Sequence, residues 1–177
     1  MKPNTITGTF FIVAGLGPLI VYLLLADVLE VLSTLQTELI ASWILLSVPI
    51  AFKRTKDAMP AGIGKDMAQI GLLILVISTA GGMVADSFAS VENTDGREAV
   101  GRLVWAALFL GLAFTGIGYY LEEFFHRILS GLLLLLGIVG FLAIGIGGVG
   151  SDASGEMVWP VLMLTMLVLG VVTLRRA

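Results

Sequence analysis

The stretch RILSGLLLLLGIVGFLAIGIG, residues 127–147, carries no charge after Arg127 and no polar side chain other than Ser130. A helix of this length, at about 1.5 Å per residue, matches the roughly 30 Å thickness of the hydrocarbon core of a bilayer. The stretch therefore predicts a transmembrane helix. The fold then depends on how often such a stretch recurs along the chain.

Five further stretches have the same character, so the sequence predicts six transmembrane helices. The predicted spans are residues 6–26, 35–52, 67–89, 101–121, 127–147 and 157–174. The second span is the weakest, because Glu38 limits its uninterrupted apolar part to residues 39–52. The first begins after Lys2 like a signal peptide, but it is long and lacks a small-residue cleavage pattern. We expect a retained helix that is kinked near Pro18.

The composition is that of an integral membrane protein. The 177 residues are 58% hydrophobic and 13% charged, whereas soluble domains carry about 25% charged residues. There is no cysteine, which excludes disulfides, thiol nucleophiles, iron–sulfur clusters and thiolate zinc sites. A single histidine, His126, excludes multi-histidine metal centres within one chain. We expect an all-α, single transmembrane domain over residues 1–177, without metal, cofactor or nucleic-acid partner.

Lysine and arginine are distributed unevenly between the two ends of the predicted bundle. One end would carry both termini, the 53–66 loop and the 122–127 turn. Eight of the ten basic residues fall there: Lys2, Lys53, Arg54, Lys56, Lys65, Arg127, Arg175 and Arg176. The other end has Arg97 and Arg102. Because short cytoplasmic loops are rich in Lys and Arg, we expect a multi-pass protein of the cell membrane with both termini cytoplasmic.

The acidic residues are concentrated at the opposite, outer end. They are Asp27, Glu30, Glu38, Asp86, Glu92, Asp95, Glu98, Asp152 and Glu156. A hydrated acidic face attracts cations and suits a salt-adapted prokaryote. Each outward helix ends in a small residue and an aspartate, and each inward helix begins near a tryptophan (Trp43, Trp105 or Trp159). The pattern has two explanations, three related hairpins or the interfacial preference of Trp, and unequal loop lengths favour the second.

A polar cluster, Glu122, Glu123, His126 and Arg127, separates the fourth and fifth spans. The sequence pattern Glu-Glu-x-x-x-Arg, at residues 122–127, resembles a motif of the type II CAAX prenyl proteases and their bacteriocin-processing relatives. That resemblance implies an intramembrane peptidase, but the family's later histidines have no counterpart after His126. Glu123-x-x-His126 also matches half of a di-iron bundle site, without a second pair. We therefore expect a solvated turn, with Tyr119 and Tyr120 as interfacial anchors.

A second candidate site lies near the outer edge of the third span. Ser78, Gly82 and Asp86 recur every four residues and share one helix face. Arg102, on the next span, is expected at a similar depth. An unpaired charge at the hydrocarbon edge is unfavourable, so the sequence predicts an Asp86–Arg102 ion pair. The alternative is a vestibule for a cation or polar solute.

Small residues mark the expected contacts between helices. Gly111, Thr115, Gly118 and Glu122 form one face of the fourth span. Gly137, Gly140 and Gly147 line part of the fifth. Small residues at this spacing let helix backbones approach closely in lipid. We interpret both sets as packing seams, and we expect the glycine-rich segment 145–155 to end the fifth helix in an outer loop.

Three functional hypotheses follow. The first is a non-enzymatic membrane subunit, scaffold or assembly factor that works in the lipid bilayer through other membrane helices, as a homo-oligomer or with a partner subunit. The second is a small oligomeric channel or transporter for a cation or small solute, with an acidic outer vestibule. The third is a degenerate relative of the CAAX-type proteases that uses Glu122 and Glu123.

Overall fold

The fold is built from helices joined by short connections. The computed structural model describes residues 3–89, 91, 93–149 and 157–176, and these contain helices and no strand. The helices are α1 (Pro3–Leu19), a π-helix (Ile20–Val28), α2 (Thr34–Leu45), α3 (Ser47–Ala58), α4 (Ile63–Ala89), α5 (Thr94–Leu121), α6 (Arg127–Gly147) and α7 (Val158–Arg175). Several residues discussed above lie outside the described residues: Lys2, Glu92, Asp152, Glu156 and the 150–155 part of the glycine-rich segment.

Six helical segments of the described chain are long and apolar enough to cross a membrane. They are Asn4–Val28, Thr34–Ala58, Ile63–Phe88, Thr94–Leu121, Arg127–Gly147 and Val158–Arg175. The first joins α1 to the π-helix, and the second joins α2 to α3. The predicted fold class, an all-α bundle of six membrane-spanning helices, is confirmed.

The first span changes its helical geometry after Pro18. Proline has no backbone N–H to donate and therefore removes one bond of the α-helical ladder. The α-helix ends at Leu19, and the chain continues as a π-helix from Ile20 to Val28. At the end of the π-helix the Leu29 N–H donates to the Leu24 carbonyl, a bond between residues five apart, at 2.9 Å. A π-helix of nine residues is rare, and such segments are frequent at functional sites.

The second span is broken once, between α2 and α3. The break lies at Leu46, and Pro49 follows it in the first turn of α3, where its missing N–H is tolerated. The Ser47 hydroxyl donates to the Ile44 carbonyl at 2.6 Å and satisfies one of the groups left free there. At the start of α2, Ser33 and Gln36 form a capping box, and the helix begins at Thr34, one residue before the predicted span 35–52.

Glycines hold α4 against α5 along the predicted seam. A Cβ atom on Gly71 would lie 2.6 Å from the Gly111 carbonyl oxygen, and one on Gly111 would lie 2.9 Å from the Gly71 carbonyl. Further along the same face, Gly118 approaches Ala68 of α4. These distances leave no room for a side chain. The interpretation of the Gly111–Glu122 face as a packing seam is therefore confirmed.

Two further seams use glycine in the same way. On α6, Gly137 lies against the backbone of Ala113 on α5. Between the first and last spans, a Cβ on Gly170 would lie 3.0 Å from the carbonyl oxygen of Gly8. As a result α7 packs mainly against α1, although α6 precedes it in the chain.

One end of the bundle gathers the segments that carry most of the basic residues. The Asn4 side chain donates to the Arg176 carbonyl at 2.9 Å, which ties α1 to the end of α7. The Gly64 N–H donates to Glu122 Oε1 at 3.0 Å, which ties α4 to the turn after α5. We call this the basic end; it comprises residues 4–7, 53–66, 122–127 and 173–176.

Aromatic side chains fill the bundle at the basic end. Phe52 packs edge-on against Phe11 and stacks on Tyr119, with ring centroids 5.1 and 6.1 Å apart. Tyr119 also packs against Phe124 and Phe125. It is fully buried and hydrogen-bonded to the Thr55 hydroxyl, so its prediction as an interfacial anchor is wrong. The phenol is buried because a partner hydroxyl on α3 satisfies it.

Candidate functional site

A cavity lies at the end of the bundle opposite the basic end. Its volume is about 340 Å³. The polar part of its lining is Tyr22 from the π-helix, Glu38 from α2, Asp86 from α4 and Arg97 from α5, and its aromatic wall is Trp105 and Trp159. Leu23 and Pro160, which also line it, are solvent- or lipid-exposed, so the cavity opens at the surface between the π-helix and α7.

Glu38 is a buried carboxylate at the centre of this lining, with 6% of its surface exposed. The Tyr22 hydroxyl donates to its Oε2 at 2.8 Å. The Arg97 guanidinium lies 3.4 Å from the Glu38 Oε1, and the Arg97 side chain is 42% exposed. The expectation that Glu38 belongs to a hydrated outer face is wrong, because Glu38 is buried on the face of α2 that packs into the bundle beside Tyr22.

Asp86 is the second buried carboxylate of the cavity, with 8% of its surface exposed. The Ser42 hydroxyl donates to its Oδ2 at 2.6 Å. No ion pair joins Asp86 to any described cation, and its Oδ1 has no hydrogen-bond partner among the described residues. Ser42 follows Glu38 by four residues on α2, so the same face of α2 carries the Glu38 carboxylate and the hydroxyl that binds Asp86.

The wall beside the carboxylates is aromatic. Trp105 and Trp159 pack edge-to-face with centroids 5.3 Å apart, and Phe109 supports Trp159 at 5.5 Å. Trp43, the third member of the tryptophan pattern, is 63% exposed on the surface of α2. Only Trp43 therefore has the exposure expected of an interfacial tryptophan. The other two shape the cavity.

The structure does not bring Asp86 and Arg102 together. Arg102 donates through Nε to the Gly145 carbonyl at 2.8 Å and through Nη2 to the Ile146 carbonyl at 2.7 Å. The last carbonyls of a helix lack partners within the helix, so the guanidinium binds the end of α6 and not the carboxylate. The predicted Asp86–Arg102 ion pair is therefore wrong. Arg102 caps the end of α6, and Asp86 is bonded to Ser42.

Ser78 does not bind Asp86 either. Its hydroxyl donates to the Ile74 carbonyl of its own helix at 2.7 Å. Ser78 is buried, and Gly82 on the same face packs against the ring of Trp105. The predicted face of α4 is thus divided: Asp86 lines the cavity, and the two residues before it serve packing.

The turn between α5 and α6 separates the residues of the predicted cluster. Glu122 is half-buried and binds the N–H of Gly64 at the start of α4. Glu123, at φ 50°, pairs with Arg127 on the exposed side. His126 is exposed and caps α6, accepting from the Ile128 N–H at Nδ1 with a distance of 3.3 Å.

These positions do not form a common centre. Among the described residues no group of three His, Cys, Asp or Glu side chains is placed to hold a metal ion. Glu122 acts as a helix cap, and the remaining three side chains face away from the bundle. The arrangement is that of a turn with one internal contact.

Sequence reasoning missed three of the cavity residues, Tyr22, Glu38 and Arg97, as members of a site. One signal is available: Ser42 is a polar residue within the apolar part of α2, and it follows Glu38 by four residues. Tyr22 gave no such signal, because its direction depends on the π-helix. Arg97 depends on how the start of α5 lies over α2, which no local pattern encodes.

By its fold the chain is an all-α, multi-pass bundle of membrane-spanning helices with a polar cavity at one end. Comparisons with protein-family models, with curated proteins and with solved structures find no match for it. The cavity is therefore the feature of the chain that bears on its function.

Proposed function

We propose that this chain binds a monovalent organic cation in the cavity, as the solute-binding site of a small membrane transporter. One observation carries the proposal. The cavity buries two carboxylates, Glu38 and Asp86, and offers one guanidinium, Arg97, which reaches Glu38 alone.

Asp86 supports the proposal most directly. Burying an ionised carboxylate without a compensating charge is strongly unfavourable. Ser42 supplies one neutral hydrogen bond to Oδ2, and Oδ1 remains open to the cavity lining. A cation placed between Asp86 and Glu38 would complete the charge balance of the site.

The character of the walls favours an organic cation. Tryptophan faces attract cations, and the apolar rings also remove apolar surface of a ligand from water. Calcium would need six to eight oxygen ligands, more than two carboxylates and a phenol provide. The volume of about 340 Å³ lies in the range of small-molecule sites, roughly 300–1,000 Å³.

Transport is a better account than a purely scaffolding role. A scaffold gains nothing from an unpaired buried carboxylate, because a neutral residue would pack there at lower free energy. Transporter sites commonly lie where a helix departs from regular α geometry, as the first span does beside Tyr22. The aromatic cluster of Phe52 and Tyr119 closes the basic end. The cavity thus lies near one end of the bundle, and the opposite end is packed.

The test is ligand-dependent thermal stability of the purified protein in mild detergent. Benzyltrimethylammonium serves as the probe cation, and benzyl alcohol serves as the neutral comparison. The cation should raise the unfolding midpoint in proportion to the logarithm of its concentration, since binding to the native state stabilises it by mass action. Benzyl alcohol should not.

Variants locate the effect. Asp86→Asn and Glu38→Gln should each abolish the shift with the cation, whereas Asp95→Asn should preserve it. Asp95 is an acidic residue at the same end of the bundle, but it is exposed and outside the cavity. Equal shifts with cation and alcohol, or loss of the shift in Asp95→Asn, would rule the proposal out.

A further inference from the structure

The two buried carboxylates of the cavity have four oxygen atoms, and three of these already accept a hydrogen bond. Glu38 accepts from Arg97 at Oε1 with a distance of 3.4 Å and from Tyr22 at Oε2 with a distance of 2.8 Å. Asp86 accepts from Ser42 at Oδ2 with a distance of 2.6 Å. The Oδ1 of Asp86 has no donor among the described residues. The protein itself therefore leaves one carboxylate oxygen of the site for a ligand.

The Oδ1 atom of Asp86 can be reached from the cavity. Among the described residues, no fully enclosed side-chain oxygen or nitrogen lacks a hydrogen-bond partner. Since Oδ1 lacks a partner, it is not fully enclosed. Asp86 lines the cavity and is otherwise buried, with 8% of its surface exposed. A donor placed in the cavity can therefore bond to Oδ1.

Most of the remaining lining is apolar. It includes Pro18, Leu45 and Met163 beside Trp105 and Trp159. The two tryptophans pack edge-to-face against each other, so they form a wall and not a ring of aromatic faces around a charge. Carbon substituents of a ligand are stabilised against such a wall, because their apolar surface leaves water. An N–H group that faces the wall has no acceptor there, and burying it without a bond is unfavourable.

On the basis of the proposed cation site, we infer that its ligand is a protonated tertiary amine, which has one N–H and three carbon substituents. The N–H donates a charge-assisted hydrogen bond to Asp86 Oδ1, and the substituents lie against the tryptophans and Met163. A quaternary ammonium ion has no N–H to offer to Oδ1. Each additional N–H of a secondary or primary ion has to share an oxygen that already accepts a hydrogen bond. The match of one donor to one open oxygen selects the tertiary ion.

A series of four benzylammonium ions tests this match. Benzyltrimethylammonium, N,N-dimethylbenzylammonium, N-methylbenzylammonium and benzylammonium carry no, one, two and three N–H groups. Calorimetry measures their dissociation constants with the purified chain in mild detergent at about pH 7, where alkylammonium groups such as that of lysine keep their proton.

In the wild type, N,N-dimethylbenzylammonium should bind most tightly of the four ions. We expect it to bind about tenfold more tightly than benzyltrimethylammonium, which corresponds to about 1.4 kcal/mol. The quaternary ion has one more methyl group, so burial of apolar surface alone would favour the opposite order. A tighter tertiary ion therefore reports the N–H bond itself.

Two serine variants change and control the number of open oxygens. Ser42→Ala removes the donor to Asp86 Oδ2 and opens a second oxygen. The ratio of affinities should then change about tenfold in favour of N-methylbenzylammonium, which has two N–H groups, relative to N,N-dimethylbenzylammonium. Ser78→Ala is the matched control, because it removes a buried hydroxyl that donates to a carbonyl of its own helix. It should leave that ratio unchanged.

The outcomes separate this inference from the cation site on which it rests. The assignment of a tertiary amine is overturned if benzyltrimethylammonium binds as tightly as N,N-dimethylbenzylammonium, or if benzylammonium binds most tightly. An unchanged ratio in Ser42→Ala would overturn it as well. In each of these cases the cation site stands. If none of the four ions binds, the cation site itself is wrong, and the assignment is wrong with it.

Discussion

Many buried hydroxyls of the described residues bond to a carbonyl of their own helix, and these hydroxyls do not mark the site. Ser78, Thr79, Thr115 and Thr173 each donate to a carbonyl of their own helix four residues earlier. Such bonds satisfy the hydroxyl locally and leave nothing for a ligand. Ser42 differs, because it donates across the bundle to Asp86 at 2.6 Å. A buried hydroxyl in an apolar helix thus becomes informative only when its partner is known.

The Ser42–Asp86 bond makes a prediction about coupling. Ser42→Ala and Asp86→Ala should show a coupling energy of about 0.5–3 kcal/mol in a double-mutant cycle, the range for residues in direct contact. Asp86→Ala and Arg102→Ala should be additive within about 0.5 kcal/mol, since they share no partner. Thermal unfolding in detergent provides the measurement. Strong coupling of Asp86 with Arg102 would contradict the geometry described for both.

The two adjacent glutamates of the α5–α6 turn should respond differently to substitution. Glu122→Ala removes a charge-assisted bond to the Gly64 N–H and should lower the free energy of unfolding by about 1–3 kcal/mol. Glu123→Ala removes an exposed pair with Arg127 and should leave the unfolding midpoint within experimental error. Chemical denaturation of both variants measures the two changes in the free energy of unfolding. A larger loss for Glu123 would show that the turn has a role beyond the helix cap.

At the level of helices, glycine substitutions distinguish seams from lipid-facing surface. Gly71→Ala would place a Cβ 2.6 Å from the Gly111 carbonyl oxygen, where backbone cannot yield. We expect a loss of about 1–3 kcal/mol, as for other overpacked positions. Gly131→Ala meets nothing within 4 Å and should be neutral or stabilising, because alanine favours the helix. Equal effects of the two changes, measured as shifts in the unfolding midpoint, would contradict the seam.

Helices were predictable from the sequence where apolar length decided them. The observed bounds of α6, Arg127–Gly147, are the predicted ones, because a charged residue lies at one end of the apolar stretch and glycines lie at the other. The second span starts at Thr34, one residue before its predicted start, where Ser33 and Gln36 form a capping box, but it continues to Ala58 and does not end at residue 52. The π-helix does not follow from the sequence. Proline predicts a disturbance after Pro18 but does not specify which geometry replaces the α-helix.

For the molecule as a whole, the orientation in the membrane is a prediction of the positive-inside rule. The chain has no cysteine, so single-cysteine variants are unambiguous reporters. In intact cells, Lys53→Cys at the basic end should resist an impermeant thiol reagent, and Asp95→Cys should react readily. Both positions are exposed, so burial does not account for a difference. Reaction at Lys53 and protection at Asp95 would reverse the orientation.

The candidate site was predictable only in part, because its four polar residues come from four separate helices. Asp86 stood out as a charge near a span end, and the notion of an outer vestibule followed from it. Its partner was misassigned, since Arg102 at a similar depth points to the end of α6. Glu38 and Tyr22 come from segments distant in sequence, and their meeting depends on packing between the first two spans. Local patterns cannot specify such a meeting.

If the cavity binds a cation as proposed, the Arg97 guanidinium competes with that cation for Glu38, and this competition should depend on ionic strength. The Arg97 side chain is 42% exposed and its guanidinium lies 3.4 Å from Glu38, so dissolved ions can screen this contact. At about 1 M salt the Debye length is only about 3 Å, whereas at about 0.1 M it is about 10 Å. Arg97→Ala should therefore tighten binding of benzyltrimethylammonium most at low salt, and the gap from the wild type should narrow as salt rises. A gap independent of salt, measured by calorimetry, would mean that Arg97 does not compete. If the gap narrows, the concentration of salt around the membrane adjusts how readily the cavity accepts its ligand.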